Sequence, residues 1–513
     1  MNLDVRTSGA HGMQSPRPCI LALLCAAAAW LGCHCAAVAA PAAAGSAPAG
    51  GSASAPGAPA DAQAPLSLVK AETWAPYPEA APKTAKDDRG NVVIEANGTT
   101  TCAGGWQFSF TGIRGGQAYR IRTRAEHRDV ANPRDCLLAR VVWDKWSPTE
   151  AAPGRKPWNY LLPKPAADGS VDFECVTRAP EGATCLTVRC IFRWSDRGTS
   201  RWTAPAVEPA AAAGRRPVTI CIVNSTPQTR ERISIARLSA GLGLPDDVAA
   251  SVDLWGSLIQ AACEREKPQL VVTPEVVIGG KDYRQGAIAV PGPATKPFEE
   301  IARKHGAHLV LGVRERAGAA LHNSAVLVSP EGKVAGVYHK VHLATGEDAS
   351  GITPGDGFPV FPTPVGRIGC LICMDTTVSE SARCLALGGA EIICMPIMGD
   401  LRADRFSPGQ PVFNESRWKA IMRTRAIDNQ VCMVVARNNV QGSCIIDRKG
   451  DILAWNEGDQ EFTTATLPAD DGYRIWNGGD FREVTFLLRR PHLYRIYSDE
   501  SNLGPLDAAG RHD

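Results

Sequence analysis

The chain has 513 residues, more than a single hydrophobic core normally serves, so two folded domains with linking segments are expected. Its formal net charge is +2, from nearly balanced Lys+Arg and Asp+Glu, and no basic field marks nucleic acid or an anionic membrane as a partner.

At the N-terminus Arg6 and Arg17 precede an uncharged stretch from Pro18 to Leu31, and small residues follow at Ala37, Val38, Ala39 and Ala40. Basic, then apolar, then small is the order of a secretory signal peptide, assigned to residues 1–40. It predicts an exported protein, whether periplasmic, extracellular or surface-attached. The stretch is short for an uncleaved anchor, and Gly32-Cys33 leaves lipid attachment as another route to the surface. Residues 41–65 are almost entirely Ala, Pro, Gly and Ser, too poor in bulky apolar groups to form a core, and read as a flexible tether.

Between residues 66 and 207 short alternating runs are broken by turn residues. Residues 105–110, 118–123, 138–143 and 185–192 alternate bulky apolar with polar side chains, the period of half-buried strands. Several such strands at short spacing predict an antiparallel β-sandwich. Its tryptophans, Trp74, Trp106, Trp143, Trp146, Trp158, Trp194 and Trp202, are expected to fill the core, with a sugar-binding platform as the alternative. Cys102, Cys136, Cys175, Cys185 and Cys190 leave room for up to two disulfides of undetermined connectivity.

After the Ala-rich break at residues 210–214 the pattern becomes strands alternating with helices. Strands are expected at 218–223, 270–272, 309–313, 368–372, 392–396 and 431–436, with helices at 246–267, 296–305, 379–387 and 415–430. Two hairpins, 324–328 with 334–338 and 443–446 with 451–454, complete the plan. Strands that are apolar throughout are buried on both faces, which makes residues 216–468 a layered α/β domain. Residues 469–513 form a C-terminal tail.

Three strand ends carry residues suited to acyl transfer, and strand ends are where such folds build sites. Val271-Val272-Thr273-Pro274-Glu275 stops at proline and holds Glu275 just beyond, among Val and Ile, where desolvation would raise its pKa toward that of a general base. Tyr338-His339-Lys340-Val341-His342 puts an ammonium where a hairpin ends and could stabilise an oxyanion; His339 and His342 read as structural hydrogen-bonders, with no metal-ligand spacing. Gly369-Cys370-Leu371-Ile372-Cys373-Met374-Asp375 runs into a cysteine at a strand-to-helix turn, with Thr377 and Glu380 as a capping box for the following helix. That position, with a lysine nearby, is expected to lower the Cys373 pKa. Cys221, Cys370, Cys384, Cys394, Cys432 and Cys444 lie in apolar contexts and read as buried packing residues.

Each residue alone is a weak signal. In the order Glu275, Lys340, Cys373, each at its own strand end, they resemble the nitrilase or carbon-nitrogen hydrolase superfamily. Thr345-Gly346-Glu347-Asp348, Thr353-Pro354-Gly355, Phe361-Pro362-Thr363-Pro364-Val365-Gly366, Gly388-Gly389-Ala390-Glu391 and Arg425-Ala426-Ile427-Asp428-Asn429-Gln430 are similar to further family segments. The resemblance implies a four-layer αββα sandwich behind the antiparallel module. It also implies a small-molecule amide or carbamoyl substrate and no metal or cofactor. Glu275 would be the general base, Cys373 the nucleophile, and Lys340 with the backbone amide of Met374 the oxyanion holders. Glu347 would orient the lysine. Met374-Asp375 is closer to the amidase and carbamoyl hydrolase branches than to true nitrilases, which place Trp-Glu there. Nitrile hydrolysis and acyl transfer to an amine remain alternatives, as does a binding protein with an inactive scaffold whose N-terminal module grips a glycan or cell surface. Family members pair, so a homo-oligomer is expected, with the tail Phe486-Leu487-Leu488-Arg489-Arg490-Pro491-His492-Leu493-Tyr494 apolar enough to dock on a partner.

Overall fold

A computed structural model describes residues 66–144, 156–211, 216–399, 404–407, 410–438, 441–469, 473–499 and 501. The expected signal peptide at 1–40 and tether at 41–65 lie outside the described residues, as does Trp146. The described residues all belong to one compact unit.

The N-terminal module is all antiparallel. The four strands expected from alternation are present as Ala103–Thr111, Ala118–Arg128, Leu137–Asp144 and Cys185–Arg193. They are joined by strands that alternation did not reveal, among them Ser67–Trp74, Trp158–Pro165 and Val171–Arg178, in one eleven-stranded hydrogen-bonded sheet. Trp158–Pro165 connects its halves, pairing through residues 158–161 with Leu137–Asp144 and through 162–165 with Val171–Arg178. Inside lies a core that includes Trp106, Trp143, Phe173 and Trp202. The core reading of the tryptophans therefore holds for these, while Trp194 is 44% exposed beside Arg193 and Arg490. The module's five cysteines are all free thiols, and Cys102, Cys136, Cys175 and Cys190 are buried as small apolar fillers rather than paired.

The second part contains two six-stranded sheets of like design. One runs Lys333–His339, Ala320–Ser329, His308–Ala317, Leu270–Val272, Val218–Val223, Phe462–Leu467. The other runs Val360–Thr363, Gly366–Cys370, Ile392–Ile397, Cys432–Arg437, Cys444–Ile446, Ile452–Trp455. In each, three central strands are parallel and their outer neighbours antiparallel. One apolar cluster draws Ile220, Val272 and Val310 from the first sheet and Ile368, Ile392 and Val434 from the second, so the sheets share a core.

Helices cover the opposite side of each sheet. Asp246–Glu266 buries Val248, Val252, Trp255, Leu258, Ile259 and Ala262, the stripe its 3.6-residue periodicity marks. Lys296–His305 ends at Gly306 in the left-handed region, as expected of a C-terminal glycine. Ser379–Leu387 and Glu415–Asn429 pack with the second sheet through Leu385, Trp418 and Met422.

The first part of the tail packs on its own chain, while Leu488, Leu493 and Tyr494 are exposed. In the short helix Phe481–Leu487, Glu483 accepts from Asn159 Nδ2 at 2.9 Å and from the Tyr160 amide at 2.7 Å, while Val484 and Leu487 lie against Leu138, Trp158, Tyr160 and Ile191. Phe486, which the sequence offered to a partner copy, packs beside the core of the second sheet. Ile496 and Tyr497 further along are exposed too.

Candidate functional site

Strand termination places Glu275, Lys340 and Cys373. After Val272 the chain turns at Pro274, and the segment crosses directly over Gly312 of the neighbouring strand. A Cβ on Gly312 would stand 2.0 Å from the Pro274 carbonyl, so only glycine permits the approach. Thr273 Oγ1 accepts from the Gly312 amide at 3.0 Å and the Ile278 amide donates to the Gly312 carbonyl at 3.1 Å, which pins Glu275 between them. Val276, a β-branched residue, has φ 49°, a conformation that costs about 1–3 kcal/mol and is held by its surroundings. Arg314 Nη1 donates to its carbonyl at 2.6 Å.

Lys340 follows the strand Lys333–His339 directly. Its amide donates to the Asn323 carbonyl at 2.9 Å, and its own carbonyl accepts from the Gly355 amide at 2.9 Å. Gly355 is another close approach, since a Cβ there would lie 2.2 Å from the His339 carbonyl. The Thr353-Pro354-Gly355 run therefore backs the lysine, and its glycine lets it come close enough to do so.

Cys373 opens a short 3-10 turn, Cys373–Thr376, and like Val276 has positive φ, 45°. The strand before it ends at Cys370, two residues earlier than the sequence pattern suggested. The helix Ser379–Leu387 begins only after the turn, with Val378 at its cap position and no side-chain cap. The Thr377–Glu380 capping box is thus not formed; the turn consumes the residues that would have made it, and Thr377 Oγ1 faces Met374 Sδ while Ser379 donates to Glu380.

Glu275, Lys340 and Glu347 meet in one buried network. Lys340, 1% exposed, donates to Glu275 Oε1 at 2.9 Å and to Glu347 Oε2 at 2.8 Å. Glu275, 4% exposed, also accepts from the Met398 amide at 2.9 Å through Oε2. Asn323 completes the set, its Nδ2 donating at 2.8 Å to both Glu275 Oε1 and Glu347 Oε1. Sequence reasoning missed Asn323, which sits in the polar run His322-Asn323-Ser324 of the hairpin strand Ala320–Ser329 and has no mark that sets it apart from its polar neighbours. It also missed Met398 and Gly399, at the end of Ile392–Ile397, whose backbone contacts Glu275 and receives the Cys373 thiol at 3.2 Å.

Electrostatics corrects one expectation. Burial, reinforced by Glu275 and only partly offset by Lys340, pushes the Cys373 thiol up to about 12 rather than down. Burial therefore favours the protonated Cys373 thiol. Burial would lower the Lys340 ammonium, but Glu275, Cys373 and Glu347 outweigh it and hold the lysine charged.

Asp375 anchors the turn. Fully buried, it accepts from Tyr338 Oη at 2.7 Å, the Ile372 amide at 2.8 Å, and the amide and Nδ1 of His342, each at 2.9 Å. It ties the cysteine turn to the segment that carries Lys340. His339 Nε2 lies 3.0 Å from Glu315 Oε2, so both histidines serve as structural hydrogen-bonders. A separate cleft of about 940 Å³, between the N-terminal module, the end of helix Ser379–Leu387 and the tail, contains none of these groups.

The family model for carbon-nitrogen hydrolase matches residues 235–474. The chain is 28% identical over 186 residues to omega-amidase NIT2 of Homo sapiens, covering 34% of this chain and 62% of that protein. It is 36% identical over 180 residues to a nitrilase of Pyrococcus abyssi, covering 34% and 63%. An aliphatic nitrilase of Sinorhizobium fredii is 26% identical over 305 residues, covering 50% and 92%. The matches to the first two thus span less than two thirds of those proteins' length. Among solved structures, an amidase from Nesterenkonia sp. is 21% identical, with a TM-score of 0.41 over 56% of this chain and 98% of that one.

Proposed function

Since the chain belongs to the carbon-nitrogen hydrolase superfamily, we propose that it hydrolyses a small-molecule amide or carbamoyl compound through a thioester on Cys373. The observation that carries this reading is the buried Glu275–Lys340–Glu347 network, with both Glu275 and Cys373 tied to the same backbone pair, Met398 and Gly399.

Because the thiol is protonated at rest, Glu275 must take its proton as the sulfur attacks the carbonyl carbon. The S–C bond forms and the carbonyl oxygen gains the charge. Two of the three Lys340 N–H groups are directed at carboxylates; the third, with the Met374 amide, stabilises that oxygen. Collapse breaks the C–N bond, and the amine leaves with the proton from Glu275. Water then loses a proton to Glu275, attacks the thioester carbon and releases the acid, and the sulfur regains its proton.

In this reading the two sheets and their helices form a four-layer αββα sandwich, and the antiparallel module is a β-sandwich. Met374-Asp375 after the nucleophile supports amides over nitriles. An exported location and pairing of the chain complete the proposal.

The test is turnover of a panel of amides, carbamoyl compounds and nitriles by the full-length protein. Amides should react best, and Cys373→Ala and Glu275→Gln should each abolish product. Equal turnover by the alanine variant would remove the proposal.

A further inference from the structure

We propose that Asn323 is a positioning residue for the general base: its amide nitrogen bridges Glu275 and Glu347 and fixes the Glu275 carboxylate in orientation. The inference rests on the Glu275–Cys373 reading above and adds a fifth side chain to that site.

The geometry leaves Asn323 one orientation. Its Nδ2 stands 2.8 Å from an oxygen of each carboxylate, so an oxygen in that place would face two anions without a proton between them. One amide nitrogen has two hydrogens, and each is used. The side chain is 1% exposed, and its Oδ1 has no hydrogen-bond partner among the described residues. A residue kept only for packing would not be buried with an unmatched acceptor, a cost of about 1–3 kcal/mol.

The backbone repeats the tie. The Asn323 carbonyl accepts the Lys340 amide, so lysine and asparagine are fixed to each other on adjacent strands. Their flanking residues take the other face of the sheet: His322 and His339 stack at 3.9 Å, and Ser324 donates to Glu315. Lysine and asparagine together thus close a ring with Glu275 and Glu347.

Charge explains why a neutral donor is needed there. One ammonium faces two carboxylates, and the groups coupled to them are Cys373 and Tyr283. A second cation would compete with Lys340 for the oxyanion role, while an apolar residue would leave Lys340 alone to bridge Glu275 and Glu347. Asparagine adds a second bridge and no charge.

The test uses iodoacetamide alkylation of Cys373 in the full-length protein, followed by peptide mass spectrometry from pH 5 to 9, which reads thiol activation without a known substrate. Asn323→Asp keeps the shape but replaces two donors with a third carboxylate. It should slow alkylation about tenfold at neutral pH and move the acidic limb upward by about one unit. Asn323→Ala, which removes the donors without adding charge, should slow it about as much with a smaller shift of the limb. Glu275→Gln is run in parallel. If it alkylates like wild type, the general-base reading itself fails; if it is slow while both Asn323 variants keep the wild-type rate and limb, this inference alone is overturned. A uniform loss at every pH that follows a lowered melting temperature would also overturn it, because a purely structural role moves no limb.

Discussion

Replacing Asp375 by asparagine should loosen the turn that presents Cys373, the proposed nucleophile. The wild-type carboxylate serves four donors from a position with no solvent exposure. An amide has one oxygen, so its NH2 must face one pair of donors. Tyr338 can rotate its hydroxyl to accept, but the amides of Ile372 and His342 cannot turn. At least one buried donor loses its partner, at about 1–3 kcal/mol, and the remaining bonds lose their charge assistance, for a total of about 3–5 kcal/mol. At roughly 2–4 °C per kcal/mol for domains of this size, the melting temperature should fall by about 10 °C. The Cys373 turn and the Lys340 segment are joined through Asp375, so turnover should fall further than instability explains at temperatures where the variant stays folded. Differential scanning calorimetry with activity measured well below the transition separates the two effects. A variant that melts within about 2 °C of wild type and keeps its turnover would refute the claim that Asp375 couples nucleophile to lysine.

Cys370, fully buried three residues before Cys373, should tolerate alanine with most activity intact and a stability loss of about 1 kcal/mol, read by urea titration. Glu483 supplies a pH signature: burial, foremost, raises its carboxyl to about 7, above the ordinary 4.5. A group that binds its proton more tightly when folded stabilises fully below its unfolded pKa, and that contribution is lost as pH rises through the folded one. Melting temperature should therefore decline between about pH 4.5 and 7, a slope that Glu483→Gln flattens; an unchanged slope would contradict the assignment.

Legibility in the sequence followed the strength of local patterning. Helix Lys296–His305 and helix Ser379–Leu387 sit where periodicity put them, because an apolar stripe and a C-terminal glycine are local signals. The strand Phe462–Leu467 was not recognised, although it completes the first sheet beside Val218–Val223; its sequence, with Thr463, Thr464 and Thr466, is only partly apolar, and its partner lies far away along the chain. The short and edge strands of the N-terminal module escaped for the same reason. Glu275, Lys340 and Cys373 stood out at their strand ends, and Glu347 through the family resemblance alone. Asn323 and the Met398–Gly399 backbone did not, since an asparagine in a strand and a main-chain donor have no distinctive pattern until the sheets bring them together. The expected fall in the Cys373 pKa neglected burial and the nearby Glu275, both properties of the folded site.

The central claim is that Cys373 carries the acyl group, and its direct test is to quench full-length protein during turnover of a reactive amide and map the adduct by mass spectrometry. The account predicts one acyl mass on the peptide containing Cys373, accumulating when deacylation is slowed and absent in Cys373→Ala. Turnover with no adduct on that peptide, or with an adduct on another residue, would contradict it.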